Sequence, residues 1–343
     1  MTIAWLLVVV GIVGLVWSAD RFVAGSAALA HNFGISKMVI GLTIVSLGTS
    51  APEIIVSLDA SFRGVGELAI GNALGSNIAN VGLVLAITAL VAAIPIQRHL
   101  LNQDVPILLL VTALAGLFLL DGNFRRWEGA VLLLSLGPLM YFMYRIKSKH
   151  PEEVATEDIP TLSNASAVFW FLAGLVALVI SARLLVNGAT TIAAALGVSD
   201  LVVGLTVVAI GTSLPELAAS VMSALKGHHD IALGNIVGSN IFNLLTVMAI
   251  PGLVGVGVVQ DTVFYRDYIA MATITGLLCL IIFAQFYWDK FHPQSLSRRL
   301  LQGIAFRRTA SQPKLAWPVG VLLLLSYVGY SVILFYSETT PAS

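Results

Sequence analysis

The sequence G-L-T-I-V-S-L-G-T-S-A-P-E at residues 41–53 returns as G-L-T-V-V-A-I-G-T-S-L-P-E at residues 204–216. Further on, G-N-A-L-G-S-N-I-A-N at 71–80 returns as G-N-I-V-G-S-N-I-F-N at 234–243. Nineteen of the forty residues from 41 to 80 are identical to the residue 163 positions later. The identities include Gly, Thr, Ser, Pro, Glu and Asn, which an apolar composition alone would not produce. The chain therefore contains an internal duplication that repeats its polar residues.

This duplication lies in a strongly apolar chain. Hydrophobic residues make up 58% of the 343 and charged residues only 10%, whereas a soluble domain carries roughly a quarter charged residues. A helix needs about 20 apolar residues to cross a bilayer. The sequence predicts an all-α integral membrane protein with ten transmembrane helices, five in each repeat. The predicted spans lie near 3–30, 38–62, 67–94, 105–120, 127–146, 166–196, 200–225, 231–258, 265–287 and 316–336.

The odd number of helices in each repeat has a geometric consequence. We expect a first five-helix repeat at 1–147, a cytoplasmic linker at 148–165, and a second repeat at 166–343 with a basic cytoplasmic loop at 288–314. The second repeat then enters the membrane from the opposite face, so the repeats are inverted, as in many secondary transporters. Alternating loops place twelve Lys and Arg residues on one side and four on the other. By the positive-inside rule, the side with twelve basic residues is cytoplasmic. Both termini of this multi-pass cell-membrane protein then lie on the extracytoplasmic side.

Each G-T-S-x-P-E motif contains a proline, at 52 or 215. Proline has no amide hydrogen, so it leaves the carbonyl of Gly48 or Gly211 without its helical partner and predicts a kink. Oxygen-bearing side chains lie within one turn of the kink, and such hard ligands suit calcium and sodium. The motifs contain no Cys, Met or His, which argues against copper or a closed zinc site. These candidate ligands are Thr49, Ser50, Glu53, Thr212, Ser213 and Glu216.

The second half of each motif adds polar residues to one helix face. Ser76 and Asn80, and likewise Ser239 and Asn243, recur at spacings of three to four residues. Ser, Asn and Gly are also common between packed transmembrane helices. Helix packing and ion contact therefore both remain open for a further set of repeated residues: Thr43, Asn72, Asn77, Thr206, Asn235 and Asn240.

Glu53 and Glu216 differ from these because an ionisable residue inside a membrane is costly and is usually functional. Neither motif helix carries a Lys or Arg within the apolar segment to neutralise the carboxylate. The two glutamates also occupy matching positions in the repeats. We expect both to be ion ligands.

These paired motifs resemble the alpha repeats of the cation/calcium exchanger superfamily, in particular its bacterial sodium/calcium exchanger branch. The resemblance covers essentially the whole chain and implies ion sites at mid-membrane, built by the second, third, seventh and eighth helices. It also implies that the first and sixth helices rock past the other eight. The ligands that it implies are Thr49, Ser50, Glu53, Ser76, Asn80, Thr212, Ser213, Glu216, Ser239 and Asn243, with backbone carbonyls of Ser46 and Ala209.

One position departs from the pattern, because some similar exchangers have Asp where this chain has Asn243. With two carboxylates the site balances one calcium ion, which weakens the case for potassium cotransport. The resemblance predicts an antiporter that exchanges sodium for calcium, with calcium/proton or general cation/proton exchange as the alternative. An enzyme is not expected, because the motif helices contain no His, Lys or Cys to act as nucleophile or base. The expected partners are sodium, calcium and the lipid bilayer, with no cofactor, nucleic acid or obligate protein.

A few charged residues lie outside the motifs. Asp20 interrupts the first helix and Arg183 occupies the equivalent place in the sixth. We expect them to contact another helix or to reach the membrane surface, rather than to take part in transport. The K-G-H-H-D run at 226–230 contains two histidines, but a tight loop is favoured over a pH sensor.

Overall fold

The computed structural model describes residues 1–148, 162–197, 207, 209–291 and 313–339. Within these ranges the chain is helical apart from short two-residue strands, as the all-α prediction requires. The helices are α1 (Thr2–Asn32), α2 (Lys37–Thr49), α3 (Ala51–Phe62), α4 (Gly66–Val91), α5 (Leu100–Leu119), α6 (Arg126–Ser148), α7 (Asn164–Ala195), α8 (Ala209–Thr212), α9 (Leu214–Leu225), α10 (His229–Val254), α11 (Val263–Tyr287) and α12 (Trp317–Thr339).

Seven of the described helices are long and apolar enough to cross a membrane: α1, α4, α5, α7, α10, α11 and α12. Helices α2 and α3 together form an eighth candidate, bent by 44°. These spans confirm the membrane-protein character. Two predicted spans are not among the eight. Helix α6 covers the one near 127–146, whereas the one near 200–225 is described only in part, and its α9 segment has just 12 residues.

The duplication is visible in the helix boundaries. Helices α3 (Ala51–Phe62) and α9 (Leu214–Leu225) both contain 12 residues and begin 163 positions apart. The α-helical parts of α4 and α10, Gly66–Ala79 and His229–Phe242, match in the same way. The sequence repeat is therefore also a repeat of local structure.

Several described helices contain a stretch of π-helix, which is rare in proteins and is often found at functional sites. Two pairs of these stretches begin 163 positions apart, one pair at Asn80 and Asn243 and the other at Leu100 and Val263. The 3.6-residue apolar periodicity of the sequence does not reveal such turns. The π-helical stretches are Gly41–Val45, Asn80–Leu85, Leu100–Asp104, Asn243–Val247 and Val263–Tyr268.

The long helices α1 and α7 occupy equivalent places in the two repeats and pack against each other. A Cβ atom at Gly11 would meet Leu185, and one at Gly25 would meet Phe171. Residue numbers at the contacts thus rise along α1 as they fall along α7, so the two helices are antiparallel.

Helices α2 and α10 approach closely through glycine. A Cβ atom at Gly234 would lie 2.8 Å from the carbonyl oxygen of Met38, and one at Gly238 would lie 2.6 Å from that of Leu42. Residue numbers at the contacts rise along both helices together, so α2 and α10 are parallel. This packing brings the first motif of one repeat against the second motif of the other.

Two short antiparallel ladders connect the halves. Strand β1 (Ile94–Pro95) pairs with β4 (Lys314–Leu315), and β2 (Asn123–Phe124) pairs with β3 (Gly257–Val258). Each ladder joins a strand that precedes the linker to a strand that follows it. The two halves are therefore interlocked outside the helices as well as between them.

Candidate ion-binding site

Both motif helices break at the predicted place. Helix α2 ends at Thr49 and α3 begins at Ala51, with a bend of 44° between them. Helices α8 and α9 are likewise separated at Ser213. The prolines lie at the start of α3 and α9, where a missing amide hydrogen costs no helical bond. The predicted kink is therefore confirmed in the first repeat, and each glutamate lies in the first turn of a helix, whose N-terminus favours negative charge.

Glu53 and Glu216 are completely buried, with exposures of 1% and 0%. Their carboxylates lie near enough to interact electrostatically. The Oε2 atom of each has no hydrogen-bond partner among the described residues, and none of the ion pairs found there involves either glutamate. A buried carboxylate without compensation is costly. The site therefore needs a cation or a proton.

The two repeats contribute to one site. The Ser50 hydroxyl donates to Oε1 of Glu216 over 3.2 Å, so a residue of the first motif contacts the carboxylate of the second. Thr49 Oγ1 donates to Asn235 Oδ1 over 3.0 Å and lies 3.5 Å from Ser239 Oγ. Within the first repeat, the Ser76 side chain lies beside the Glu53 carboxylate. Ser50 and Ser76 thus lie at the two carboxylates, and Thr49 lies between Asn235 and Ser239.

Asn80 and Asn243 are buried at the starts of the matching π-helical stretches. Both amide atoms of each side chain lack a hydrogen-bond partner within the described ranges, as does Ser213 Oγ. An unsatisfied buried polar group costs about 1–3 kcal/mol, and here the same cost occurs in both repeats. The amide oxygens are thus available to a ligand.

Three other predicted positions are less informative. The Ser46 carbonyl accepts from the Ser50 amide over 2.9 Å and from the Thr49 hydroxyl over 3.3 Å, so both of its lone pairs are occupied in this conformation. Thr212 is only partly buried, and Ala209 begins α8. Ligand roles for Ser46, Thr212 and Ala209 stay predictions.

Three of the four asparagines left open by the sequence donate hydrogen bonds to the backbone. Asn72 Nδ2 donates to the Glu53 carbonyl over 3.2 Å, and Asn235 Nδ2 donates to that of Glu216 over 3.4 Å. Asn77 Nδ2 donates to the Asn240 carbonyl over 3.2 Å. These contacts favour a supporting role. Thr206 lies outside the described residues.

The sequence interpretation missed a second pair of buried carboxylates, Asp104 and Asp267, which are 163 positions apart in the π-helical stretches of α5 and α11. Asp104 Oδ2 lies 3.8 Å from His99 Nδ1, and Asp267 Oδ1 lies 2.7 Å from Arg266 Nε. Their matching positions were the signal that would have identified them. Because both have basic neighbours, they differ from the uncompensated glutamates.

No cluster of three or more His, Cys, Asp or Glu side chains suited to a metal occurs among the described residues. The candidate site therefore combines two carboxylates with neutral hydroxyl and amide oxygens. Such a set suits a hard cation that is bound reversibly, rather than a transition metal.

The chain is similar to known proteins. The family described as "Sodium/calcium exchanger protein" matches residues 3–145 and 166–336. The putative antiporter CaxA of Alkalimonas amylolytica is 41% identical over 344 residues, which cover 98% of this chain and 100% of the relative. The sodium/calcium exchanger MaX1 of Methanosarcina acetivorans is 29% identical, over 98% of this chain and 99% of its own.

A solved structure agrees with the sequence matches. The sodium-calcium exchanger NCX_Mj, soaked with zero Na⁺ and Ca²⁺, has a TM-score of 0.77 and 28% identity, over 96% of this chain and 98% of its own. The family match extends across both repeats and omits mainly the linker between them. The chain therefore belongs to the sodium/calcium exchanger protein family, a family of transporters within the cation/calcium exchanger superfamily.

Proposed function

We propose that this protein is a secondary active antiporter that exchanges sodium for calcium across the cell membrane by alternating access. The observation that carries the proposal is the pair of completely buried carboxylates, Glu53 and Glu216, each with an oxygen that lacks a partner among the described residues. One calcium ion balances their two negative charges. Sodium requires the same oxygens, so the two ions exclude each other from the site.

The proposed ligands come from both repeats. The hydrogen bond from Ser50 to Glu216 and the contact of Ser76 with Glu53 support a shared site. The unsatisfied amide oxygens of Asn80 and Asn243 support their inclusion. The full proposed set is Thr49, Ser50, Glu53, Ser76, Asn80, Thr212, Ser213, Glu216, Ser239 and Asn243, with the carbonyls of Ser46 and Ala209.

We also propose ten membrane spans in two inverted halves, 1–147 and 166–343, joined by a cytoplasmic linker. The antiparallel packing of α1 and α7 supports inversion, since these helices hold equivalent places in the duplication. The matched boundaries of α3 and α9 support the repeat itself. The excess of Lys and Arg on one side supports extracytoplasmic termini.

Proton coupling is the second candidate, and the same observation favours it. A buried carboxylate with an unsatisfied oxygen binds a proton as readily as it binds a metal ion. The names of the relatives divide similarly: MaX1 is named a sodium/calcium exchanger, whereas CaxA is named only a putative antiporter. The driving ion is therefore what an experiment has to determine.

Calcium uptake into proteoliposomes separates the two candidates. Purified protein is given an outward sodium gradient in one set of vesicles and an outward proton gradient in the other, with voltage clamped by potassium and valinomycin. We expect uptake to follow the sodium gradient and external sodium to inhibit it. Without the clamp, exchange of three sodium ions for one calcium would move net charge and respond to voltage. If only the proton gradient drives uptake, cation/proton exchange replaces sodium/calcium exchange as the function.

A further inference from the structure

An ion pair connects α1 to the turn that follows α9. Lys226 Nζ lies 2.7 Å from Asp20 Oδ1 and 3.4 Å from the Asp20 carbonyl oxygen. The two side chains are 29% and 40% exposed, respectively. Helix α1 belongs to the pair of helices that the family resemblance expects to move, whereas α9 and α10 belong to the remainder. Under the proposed alternating access, the Asp20–Lys226 pair therefore joins two parts that would change their relative position.

The other repeat cannot form the equivalent contact. The positions related to Asp20 and Lys226 by the 163-residue offset are Arg183 and Arg63, which have the same charge. Arg63 is instead paired with Asp59 in its own helix, with Nε and Oδ1 2.8 Å apart. The residue equivalent to Asp59 is Met222, so Lys226 has no acid one turn earlier and reaches α1 instead. Among the described residues, this attraction is found at the Lys226 face, whereas Arg63 pairs within its own helix.

On the side of this attraction, the residue of the candidate site is also the more deeply buried one of its repeated pair. Lys37, at the start of α2, lies 3.4 Å from His228, so the first half of α2 extends from the Lys226 face towards the site. On that half of the site, Thr49 is completely buried. On the opposite half, which extends towards the Arg63 turn, Thr212 is only partly buried.

We propose that the Asp20–Lys226 pair is a one-sided latch that stabilises the conformation closed at the Lys226 face. The alternative conformation would bring α7 towards the Arg63 turn and would place Arg183 near Arg63, where like charges repel. The latch thus favours the state open towards the Arg63 face. This inference rests on the alternating access of the proposed function, but it concerns which of two conformations is favoured.

The expected size of the effect follows from the exposure of the pair. Ion pairs with partly exposed partners change an equilibrium by about two- to fivefold. The change in apparent affinity is largest for the less populated conformation, because the fraction of protein in that conformation sets its apparent affinity for ions. Loss of the latch should therefore raise apparent calcium affinity at the Lys226 face by about two- to fivefold, and lower it less at the other face.

A distance measurement tests the latch without transport. Native Cys279 is replaced by Ala, and spin labels are attached at His31→Cys and Trp317→Cys, near the Lys226 face, for electron-electron distance measurement in nanodiscs. Asp20→Asn and Lys226→Gln should each enlarge the population that is open at this face by about two- to fivefold. The charge swap of Asp20→Lys with Lys226→Asp should restore the original distribution.

Matched controls keep the result interpretable. Asp59→Asn removes the same chemical group from a pair within one helix and should leave the distances unchanged. Arg183→Asp creates an acid opposite Arg63 and should shift the population in the same direction as loss of the latch. If Asp20→Asn, Lys226→Gln and Arg183→Asp all leave the distribution unchanged, the latch is wrong. A shift in distances without sodium-driven calcium uptake would contradict the proposed exchange alone.

Discussion

The two halves of the candidate ion site are built from the same residue types but differ in burial. In the half next to the Lys226 turn, Thr49 and Asn235 are completely buried and hydrogen-bonded to each other over 3.0 Å. In the half next to the Arg63 turn, their counterparts Thr212 and Asn72 are both partly exposed. The two repeats thus supply the same side chains, but these side chains are buried to different extents.

This difference in burial shows that conformation, rather than sequence, decides which half is closed. The motifs share nineteen of forty positions, including every residue of this comparison. Helix α2 covers the first half by packing against Gly234 and Gly238 of α10. A transporter with equal halves needs such a difference in any one conformation, because ions must reach the site from one side at a time.

The largest effect is expected where the halves do not differ. Glu53 and Glu216 are equally buried, so Glu53→Gln and Glu216→Gln should reduce calcium flux alike. Breaking a buried charge pair costs about 3–5 kcal/mol, which corresponds to a loss of more than about 100-fold. The measurement is calcium uptake by purified variants that elute as the wild type does. Near-normal flux in either variant would remove that glutamate from the site.

The second comparison concerns glycines at equivalent positions. A Cβ atom at Gly238 would lie 2.6 Å from the Leu42 carbonyl oxygen, whereas one at Gly75 meets no described atom within 4 Å. Gly238→Ala should therefore lower the free energy of unfolding by about 1–3 kcal/mol, whereas Gly75→Ala should leave it unchanged or raise it by up to about 1 kcal/mol, because Ala favours a helix more than Gly does. Thermal unfolding of both variants in one detergent checks this. Equal midpoints would show that the difference between the halves does not persist in solution.

The smallest effect is expected from adding a third carboxylate. Asn80 and Asn243 are equally buried and equally unsatisfied within the described residues, so Asn80→Asp and Asn243→Asp should act alike. We expect the half-maximal sodium concentration to change by about threefold and to become pH-dependent, with a smaller change for calcium. Sodium inhibition of calcium uptake at several pH values measures it. A larger change for calcium than for sodium would contradict the assignment of both residues.

Much of the fold followed from the sequence because its signals are local. Apolar length identified the long helices, and Pro52 identified the break between α2 and α3, which the 44° bend confirms. The π-helical stretches were not predicted, because a π turn changes the winding of a helix without changing its composition. One of them extends α5 back to Leu100, so Asp104 lies inside a helix that was predicted to begin at 105.

The sequence predicted the members of the candidate site, which stay a prediction, but it did not predict how deeply each one is buried. Repeated carboxylates and hydroxyls identified Glu53, Glu216 and their neighbours, and the hydrogen bond from Ser50 to Glu216 joins the two sets. The unequal burial of Thr49 and Thr212 was not predictable, because identical residues carry no information about which helix covers them. The Asp20–Lys226 contact was expected only as some contact with another helix, since its partner is 206 residues away.

The two β-ladders bear on how such a protein could arise. Strand β1 of the first half pairs with β4 of the second, and β3 of the second half pairs with β2 of the first. Strands β1 and β3 hold equivalent places in the two halves, as do β2 and β4. In each ladder, a strand of the first type in one half therefore pairs with a strand of the second type in the other half. Two separate half-length chains related by a two-fold axis would form the same ladders without a linker. The single chain thus has the strand exchange that a dimer of two half-length chains would have.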